Sequence, residues 1–215
     1  MSLDKQIKTL RKQNISFDAA VLAGGQGSRM FGRDKGLILF DGEPMARHTI
    51  RILAPIASSH QVLINCNRNV EAYRNLSPRI CQDISIGYQG PLAGIEAVLS
   101  SSEADVVFIM PCDTPFADKS IIELIAGKLI EIATRSKHFR PIALQSGEQK
   151  HPLHCCIPRS YLPSVQSSLQ TGRHKLMQWL DENDAIWLDF DHGQTLNNIN
   201  TPEQLSSAAL PSQRT

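Results

Sequence analysis

The chain has 215 residues, 41% of them hydrophobic and 20% charged, with a formal net charge of +1. These values suit one ordinary globular domain whose core needs no disulfide or metal staple. They exclude the strongly basic field that marks a nucleic-acid or anionic-membrane partner, and no run approaches the roughly 18 consecutive apolar residues that span a bilayer.

Residues 1–16 are polar and compatible with a short helix, an N-terminal extension that no later feature requires. They hold no apolar signal core. The five cysteines, Cys66, Cys81, Cys112, Cys155 and Cys156, include no CxxC pair, and are expected to be reduced thiols of a cytoplasmic protein. One domain is expected over residues 17–210. Asp18–Ala23 is a short apolar run entering a glycine cluster, the pattern of a buried strand meeting a loop. After the loop, Leu37–Phe40 closes on the turn pair Asp41-Gly42, and Pro44 suits the first turn of a helix to about Leu53. Gln61–Cys66 reads as a strand, Val70–Leu76 as a short helix, Arg79–Gln82 as a weak strand ending at Asp83, and Pro91–Ser101 as a helix. Asp105–Met110 is the strongest strand pattern. Asp118 stands as the cap of a helix with amphipathic spacing from Ile121 to Ile130. Pro141–Gln145 and Leu153–Ile157 read as paired strands around a polar turn. Helices at Tyr161–Leu169 and Lys175–Leu180, a strand at Ile186–Phe190, a short helix after Thr201-Pro202 and a frayed tail from Pro211 complete the pattern. Strands alternating with helices predict an α/β fold, a mostly parallel sheet between two helical layers.

The glycine segment runs from Gly24 to Gly36 as GGQGSRMFGRDKG. Glycines directly after a buried strand let backbone N–H groups approach a phosphate, and Arg29, Arg33 and Lys35 supply positive charge. Two common phosphate motifs fail here. The dinucleotide fingerprint requires glycine where Met30 stands, and the P-loop requires Lys and Ser/Thr where Arg33 and Asp34 stand.

The stretch LAGGQGSRMFGRDKG resembles the signature loop of nucleotidyltransferases with a Rossmann-like fold, and within them it is similar to the molybdenum cofactor guanylyltransferases. Three further blocks carry the likeness in the family order: GPLAG at 90–94, PCDTPF at 111–116 and NINTPE at 198–203. Phe31 replaces a usual glycine, Gln82 replaces a frequent acidic residue beside Asp83, and residues 1–16 have no counterpart. The resemblance implies a three-layer α/β/α sandwich. It also implies an enzyme that joins GMP from GTP to the terminal phosphate of molybdopterin, releasing pyrophosphate, with Mg²⁺ as cofactor. Proteins that deliver molybdopterin or receive the finished cofactor are the partners this implies; nucleic acid and membrane are not.

Residue by residue, the same likeness gives Asp113 the metal and Lys35 the triphosphate, with Arg29 a second catalytic cation. Asn65 and Asp83 fall in the nucleotide site beside backbone groups of Leu22, Ala23, Gly24 and Gly25, and Asn198 and Asn200 fall on the molybdopterin side. Taken alone, these residues stay open to plainer readings. Asp113 before Thr-Pro suits a helix cap, Lys35 and Arg29 suit a solvated loop, and the asparagines suit turns. His151, His154, Cys155 and Cys156 match no tetrahedral zinc spacing, and strand alternation sends neighbours to opposite faces. His151-Pro152 matches an HP pair of the family, so His151 is expected to line the acceptor site. Two rivals share these motifs: a relative that uses CTP or a sugar phosphate, and a non-catalytic molybdopterin-binding partner.

Overall fold

The apolar run after Ser16 folds as strand β1 (Phe17–Leu22), buried at every position. A computed structural model describes residues 1–25, 33–85, 89–136, 138–191, 193–201 and 203–205. A helix, α1 (Leu3–Lys12), precedes β1. The remaining elements follow in chain order: the small hairpin β2 (Leu39–Phe40) and β3 (Glu43–Pro44), α2 (Met45–Leu53), β4 (Leu63–Asn65), α3 (Val70–Arg74), β5 (Ile80–Cys81) and α4 (Pro91–Ser100). Then come β6 (Val106–Pro111), α5 (Lys119–Arg135), β7 (Ile142–Ser146), β8 (Gln149–Pro158), α6 (Leu162–Gln170), α7 (Leu176–Glu182) and β9 (Ile186–Asp189). Residues 203–205 are helical. Pro202, where that helix was expected to begin, and the tail from Pro211 lie outside the described residues.

Seven strands form one sheet in the order β5-β4-β1-β6-β8-β7-β9. Every neighbouring pair is parallel except the two made by β8, so β8 alone runs against the rest. Strand alternation explains the three layers. Phe17, Ala19 and Val21 of β1, with Val106, Phe108 and Met110 of β6, pack under α2 and α5. Ala20 and Leu22, with Val107 and Ile109, pack under α4, α6 and α7. A strand covered on both faces has no polar side to show, which is why these runs read as continuously apolar. Cys156 falls in the first cluster and Cys155 in the second, so adjacent cysteines point to opposite faces.

Local signals account for the element ends. Asp41 and Gly42 both take positive φ (52° and 80°), the requirement of a tight hairpin, and β2 and β3 pair across them. Asp118 accepts the backbone N–H of Ser120 at 2.7 Å and caps α5. The N-terminal extension is not idle. Leu3, Ile7 and Leu10 recur on one face of α1 and are buried in the α5 side of the core, while Gln6 Nε2 donates to the Glu123 carbonyl at 2.8 Å. Among the described residues no helix is long and apolar enough to cross a membrane.

Candidate active site

The chain leaves β1 toward β4 and β5 on one side, then crosses back to β6 on the other. The sheet order therefore reverses between β1 and β6, and ligands of open α/β sheets bind at the strand C-terminal ends beside such a reversal. A cleft of about 360 Å³ lies there. Leu22 to Gly25 enter it from the end of β1, Asn65 from β4, Asp83 from beyond β5 and Asp113 from beyond β6. Lys35 and the late residues Asn198 and Asn200 complete the wall. Of the site residues expected from the sequence, Leu22, Ala23, Gly24, Gly25, Lys35, Asn65, Asp83, Asp113, Asn198 and Asn200 are gathered in this cleft, His151 lines the neighbouring one, and Arg29 lies outside the described residues.

Asp113 is only 7% exposed, because residues 198–200 fold over the loop that follows β6, with the Ile199 N–H donating to the Asp113 carbonyl at 2.8 Å. Its carboxylate does not cap a helix, since Asp118 does that for α5. Lys35 Nζ donates to Asp113 Oδ2 at 2.9 Å and to Asn200 Oδ1 at 2.5 Å. Thr201 and Gln204 brace that segment reciprocally: Gln204 N–H donates to Thr201 Oγ1 at 3.3 Å, and the Gln204 amide oxygen accepts the Thr201 N–H at 3.2 Å. Asn200, expected on the molybdopterin side, thus bonds to Lys35, expected at the triphosphate.

Asp83 is held by two amides. Asn65 Nδ2 donates to its Oδ1 at 2.9 Å and Asn67 Nδ2 to its Oδ2 at 2.7 Å. The Asn67 amide oxygen accepts the Asp83 backbone N–H at 2.9 Å. Asn67 gave no signal in the sequence. The backbone around β1 is partly committed as well. The Ala23 N–H donates to the Asn65 carbonyl at 2.8 Å, and the Leu22 carbonyl accepts the Cys112 N–H at 3.2 Å. Among the described residues, this leaves the amides of Gly24 and Gly25 for an anionic ligand.

Glycines in this cleft make room for side chains. A Cβ on Gly94, in the second turn of α4, would stand 2.5 Å from Asn65 Oδ1 and 3.3 Å from Leu22 Cδ2. Gly94→Ala therefore forces Asn65 off Asp83, while alanine's helix propensity offsets roughly 1 kcal/mol of the strain in the fold. If Asn65 contacts the nucleotide, as the resemblance implies, the expected result is a GTP affinity lowered about 10-fold, or about 1.4 kcal/mol, with little change in melting temperature. Calorimetric titration with GTP checks this, and unchanged affinity would remove Asn65 from the nucleotide contacts.

A second cleft, about 580 Å³, adjoins the first and shares Leu153, Asn198 and Asn200 with it. Its floor is the start of β8, with His151, Pro152 and His154. Burial pushes the His154 imidazole down to about 3, with a smaller contribution from the His151 charge, and burial lowers His151 too. The two rings meet edge to face at 6.0 Å. Lys150 lines the same cleft, its ammonium paired with Asp181 at 2.9 Å, whereas the first cleft has its charged Lys35–Asp113 pair at one end. Among the described residues no group of three or more His, Cys, Asp or Glu side chains stands ready to hold a metal by itself.

The model of the MobA-like NTP transferase domain matches residues 19–186. The chain belongs to the MobA-like NTP transferase family. Its similarity extends to the molybdenum cofactor guanylyltransferase of Pasteurella multocida, 33% identical over 189 residues that cover 86% of this chain and 96% of that protein. The molybdenum cofactor guanylyltransferase of Pseudomonas fluorescens is 35% identical over 190 residues, covering 87% and 90%. Among solved structures, the molybdopterin-guanine dinucleotide biosynthesis protein A of Archaeoglobus fulgidus superposes with a TM-score of 0.70 at 23% identity, covering 89% of this chain and 96% of that one. The 2-C-methyl-D-erythritol 4-phosphate cytidylyltransferase of Thermus thermophilus reaches 0.63 at 13% identity, covering 88% and 96%. The family fold is thus shared with enzymes named for cytidylyl transfer, and the sheet by itself does not select the base. The N-terminal helix α1 lies before the matched domain, although it packs into the same core.

Proposed function

We propose that this chain transfers GMP from GTP to the terminal phosphate of molybdopterin, forming the guanine dinucleotide cofactor and pyrophosphate. The observation that carries the reading is the shared wall: two clefts meet at Leu153, Asn198 and Asn200, so a nucleotide in one lies beside an acceptor in the other. The choice of guanine and of molybdopterin rests on the names of relatives that match most of the chain. All five cysteines are free and buried, which supports a reducing compartment such as the cytoplasm as the setting of this reaction.

In this reading the first cleft holds GTP. Lys35 and the Gly24 and Gly25 amides face the triphosphate, and Asn65, fixed by Asp83, faces the nucleoside. The acceptor's terminal phosphate oxygen attacks the α-phosphorus in line, the bond to the β-phosphate breaks, and pyrophosphate departs. No protein nucleophile is required, since positioning and electrostatics supply the rate. Asp113 fits Mg²⁺ as its protein anchor. Mg²⁺ takes oxygen ligands, and it commonly uses one or two carboxylates and completes its shell with water and substrate phosphates. When bound, the ion neutralises charge on the triphosphate and on the leaving pyrophosphate. Lys35, already paired with Asp113 Oδ2, stabilises the same developing charge from the protein side.

Mass analysis of the product made from GTP, Mg²⁺ and molybdopterin tests the reading, with molybdopterin guanine dinucleotide and equimolar pyrophosphate expected. Release of pyrophosphate without molybdopterin, or no release with it, contradicts it. Asn198 separates the two substrates better than Asn200, whose side chain is tied to Lys35. Asn198→Ala is expected to weaken molybdopterin binding about 10-fold through a lost polar contact, and to change GTP affinity by no more than about 2-fold. Separate titrations of each ligand check this; a loss confined to GTP would assign the late segment to the nucleotide.

A further inference from the structure

Arg68 follows β4 and precedes α3, outside every motif of the resemblance. Its Nη2 donates to the carbonyl of Gly25 at 3.3 Å and to the carbonyl of Arg33 at 3.1 Å. Its Nε stands 3.6 Å from Asp34 Oδ2. One guanidinium therefore ties together two points within the Gly24–Gly36 segment, and reaches the carboxylate next to Lys35. Asp34 is itself pinned. It is 8% exposed, accepts the Tyr73 hydroxyl at 2.5 Å and accepts Asn69 Nδ2 at 3.1 Å. Tyr73 is fully buried, and burial holds its hydroxyl far above the usual range, so it stays a donor. Gly36 leaves no room beside this hydroxyl: a Cβ there would collide with it and lie 3.2 Å from the Cys112 Cβ.

We infer that Arg68 is a positioning residue for the triphosphate, stapling Gly25 to Arg33 and, with Asp34 locked on Tyr73, fixing Lys35 at the cleft before nucleotide binds. The chemistry suits arginine in particular. A planar guanidinium offers several donors in fixed directions and can serve two carbonyls and a carboxylate at once, whereas a lysine ammonium is a point charge. Without the staple, Gly25 and Arg33 must be ordered at the moment of binding, which lowers affinity with no loss of direct contact. The inference rests on reading the first cleft as a triphosphate site, but not on which base that site takes.

The experiment is calorimetric titration of the full chain with GTP, and separately with inorganic tripolyphosphate, both with Mg²⁺. Arg68→Ala should weaken both ligands about 10-fold as pre-organisation is lost, and should raise KM for GTP more than it lowers kcat. Molybdopterin affinity should change by no more than about 2-fold, since the acceptor cleft shares none of these contacts. Millimolar guanidinium should restore GTP binding to Arg68→Ala, methylammonium should not, and Arg68→Lys should bind as poorly as Arg68→Ala. Parental GTP affinity in Arg68→Ala, or full recovery in Arg68→Lys, overturns the inference. If Arg68→Ala fails to fold, Tyr73→Phe removes only the hydroxyl that locks Asp34. It should weaken both ligands a few-fold, and unchanged affinity there is equally contrary. A parent chain that binds neither GTP nor tripolyphosphate removes the triphosphate reading and this inference together. A parent that binds both, with Arg68→Ala unchanged, removes this inference alone.

Discussion

Asp113→Ala is expected to lower turnover at least about 100-fold, the usual scale for losing an electrostatic stabiliser of the transition state. The melting temperature should stay close to that of the parent. The Asp113 side chain bonds to Lys35, while the hold on residues 198–200 comes from its backbone carbonyl, which alanine retains. Asp113→Asn separates two roles. The amide keeps an oxygen for Lys35 and loses the charge. If Asp113 anchors Mg²⁺, the Asn variant is nearly as slow as the Ala variant and needs more Mg²⁺ to reach half-maximal rate. If Asp113 only holds Lys35 in place, the Asn variant recovers most of the rate. Unfolding of Asp113→Ala, or near-parental turnover, would return the residue to a structural role. Lys35→Ala should weaken GTP binding and turnover together, as both depend on its charge at the triphosphate.

The second large effect lies at the opposite end of β1. Asp18 is 1% exposed and carries a paired charge. Arg79 donates to Oδ1 at 2.9 Å and to Oδ2 at 2.7 Å, the Ser58 N–H to Oδ1 at 3.0 Å, and the Ser102 hydroxyl to Oδ2 at 3.0 Å. Burial raises the Asp18 pKa, but the Arg79 hydrogen bonds with those from Ser58 and Ala19 outweigh it and bring the carboxyl down to about 2. Arg79→Met removes the partner and leaves the carboxylate buried. A broken buried pair of this kind costs about 3 kcal/mol, or roughly 6 to 12 °C of melting temperature in a chain of this size. The pH dependence has a definite sign. A depressed folded pKa adds stability above the unfolded value of 3.8, and that stability is lost as pH falls toward about 2. The parent should therefore show an acid-driven loss across that window. Arg79→Met should lose its Asp18 contribution at higher pH, because its buried carboxyl is no longer held down. Melting curves from pH 7 to pH 2 check both statements. Equal melting temperatures for parent and variant at pH 7 would show that the pair contributes nothing net.

The architecture was legible because the central strands are covered on both faces. Ala19 to Leu22 and Val106 to Met110 have no polar side, so each announces itself as an apolar run, and Pro91 at the first helical position of α4 and the cap Asp118 of α5 mark where helices begin. The cleft was legible in outline because its residues sit at strand ends next to glycines, a placement that one-dimensional spacing preserves. Partnerships between loops were not legible. Lys35 meets Asn200 across 165 positions, and Asp18 meets Arg79 across 61. Neither pairing leaves a periodic trace, since both depend on the order of strands in the sheet. Asn67, Arg68 and Asp34 were missed for the same reason: each acts through a neighbour that only the fold supplies. The extension 1–16 looked dispensable because its apolar residues are few. Three of them, Leu3, Ile7 and Leu10, fall on one helical face, and that suffices to dock it.

The central claim is that this chain moves a guanylyl group, on a fold it shares with enzymes named for cytidylyl transfer. The most direct test is competition in one tube. Equimolar GTP, CTP, ATP and UTP are incubated with the full chain, Mg²⁺ and limiting molybdopterin, and the dinucleotide products are separated by mass. The account predicts that molybdopterin guanine dinucleotide dominates and falls away in Asp113→Ala. Cytosine dinucleotide in equal or greater amount would contradict it, and would move the chain to the cytidylyl branch despite its guanylyltransferase relatives.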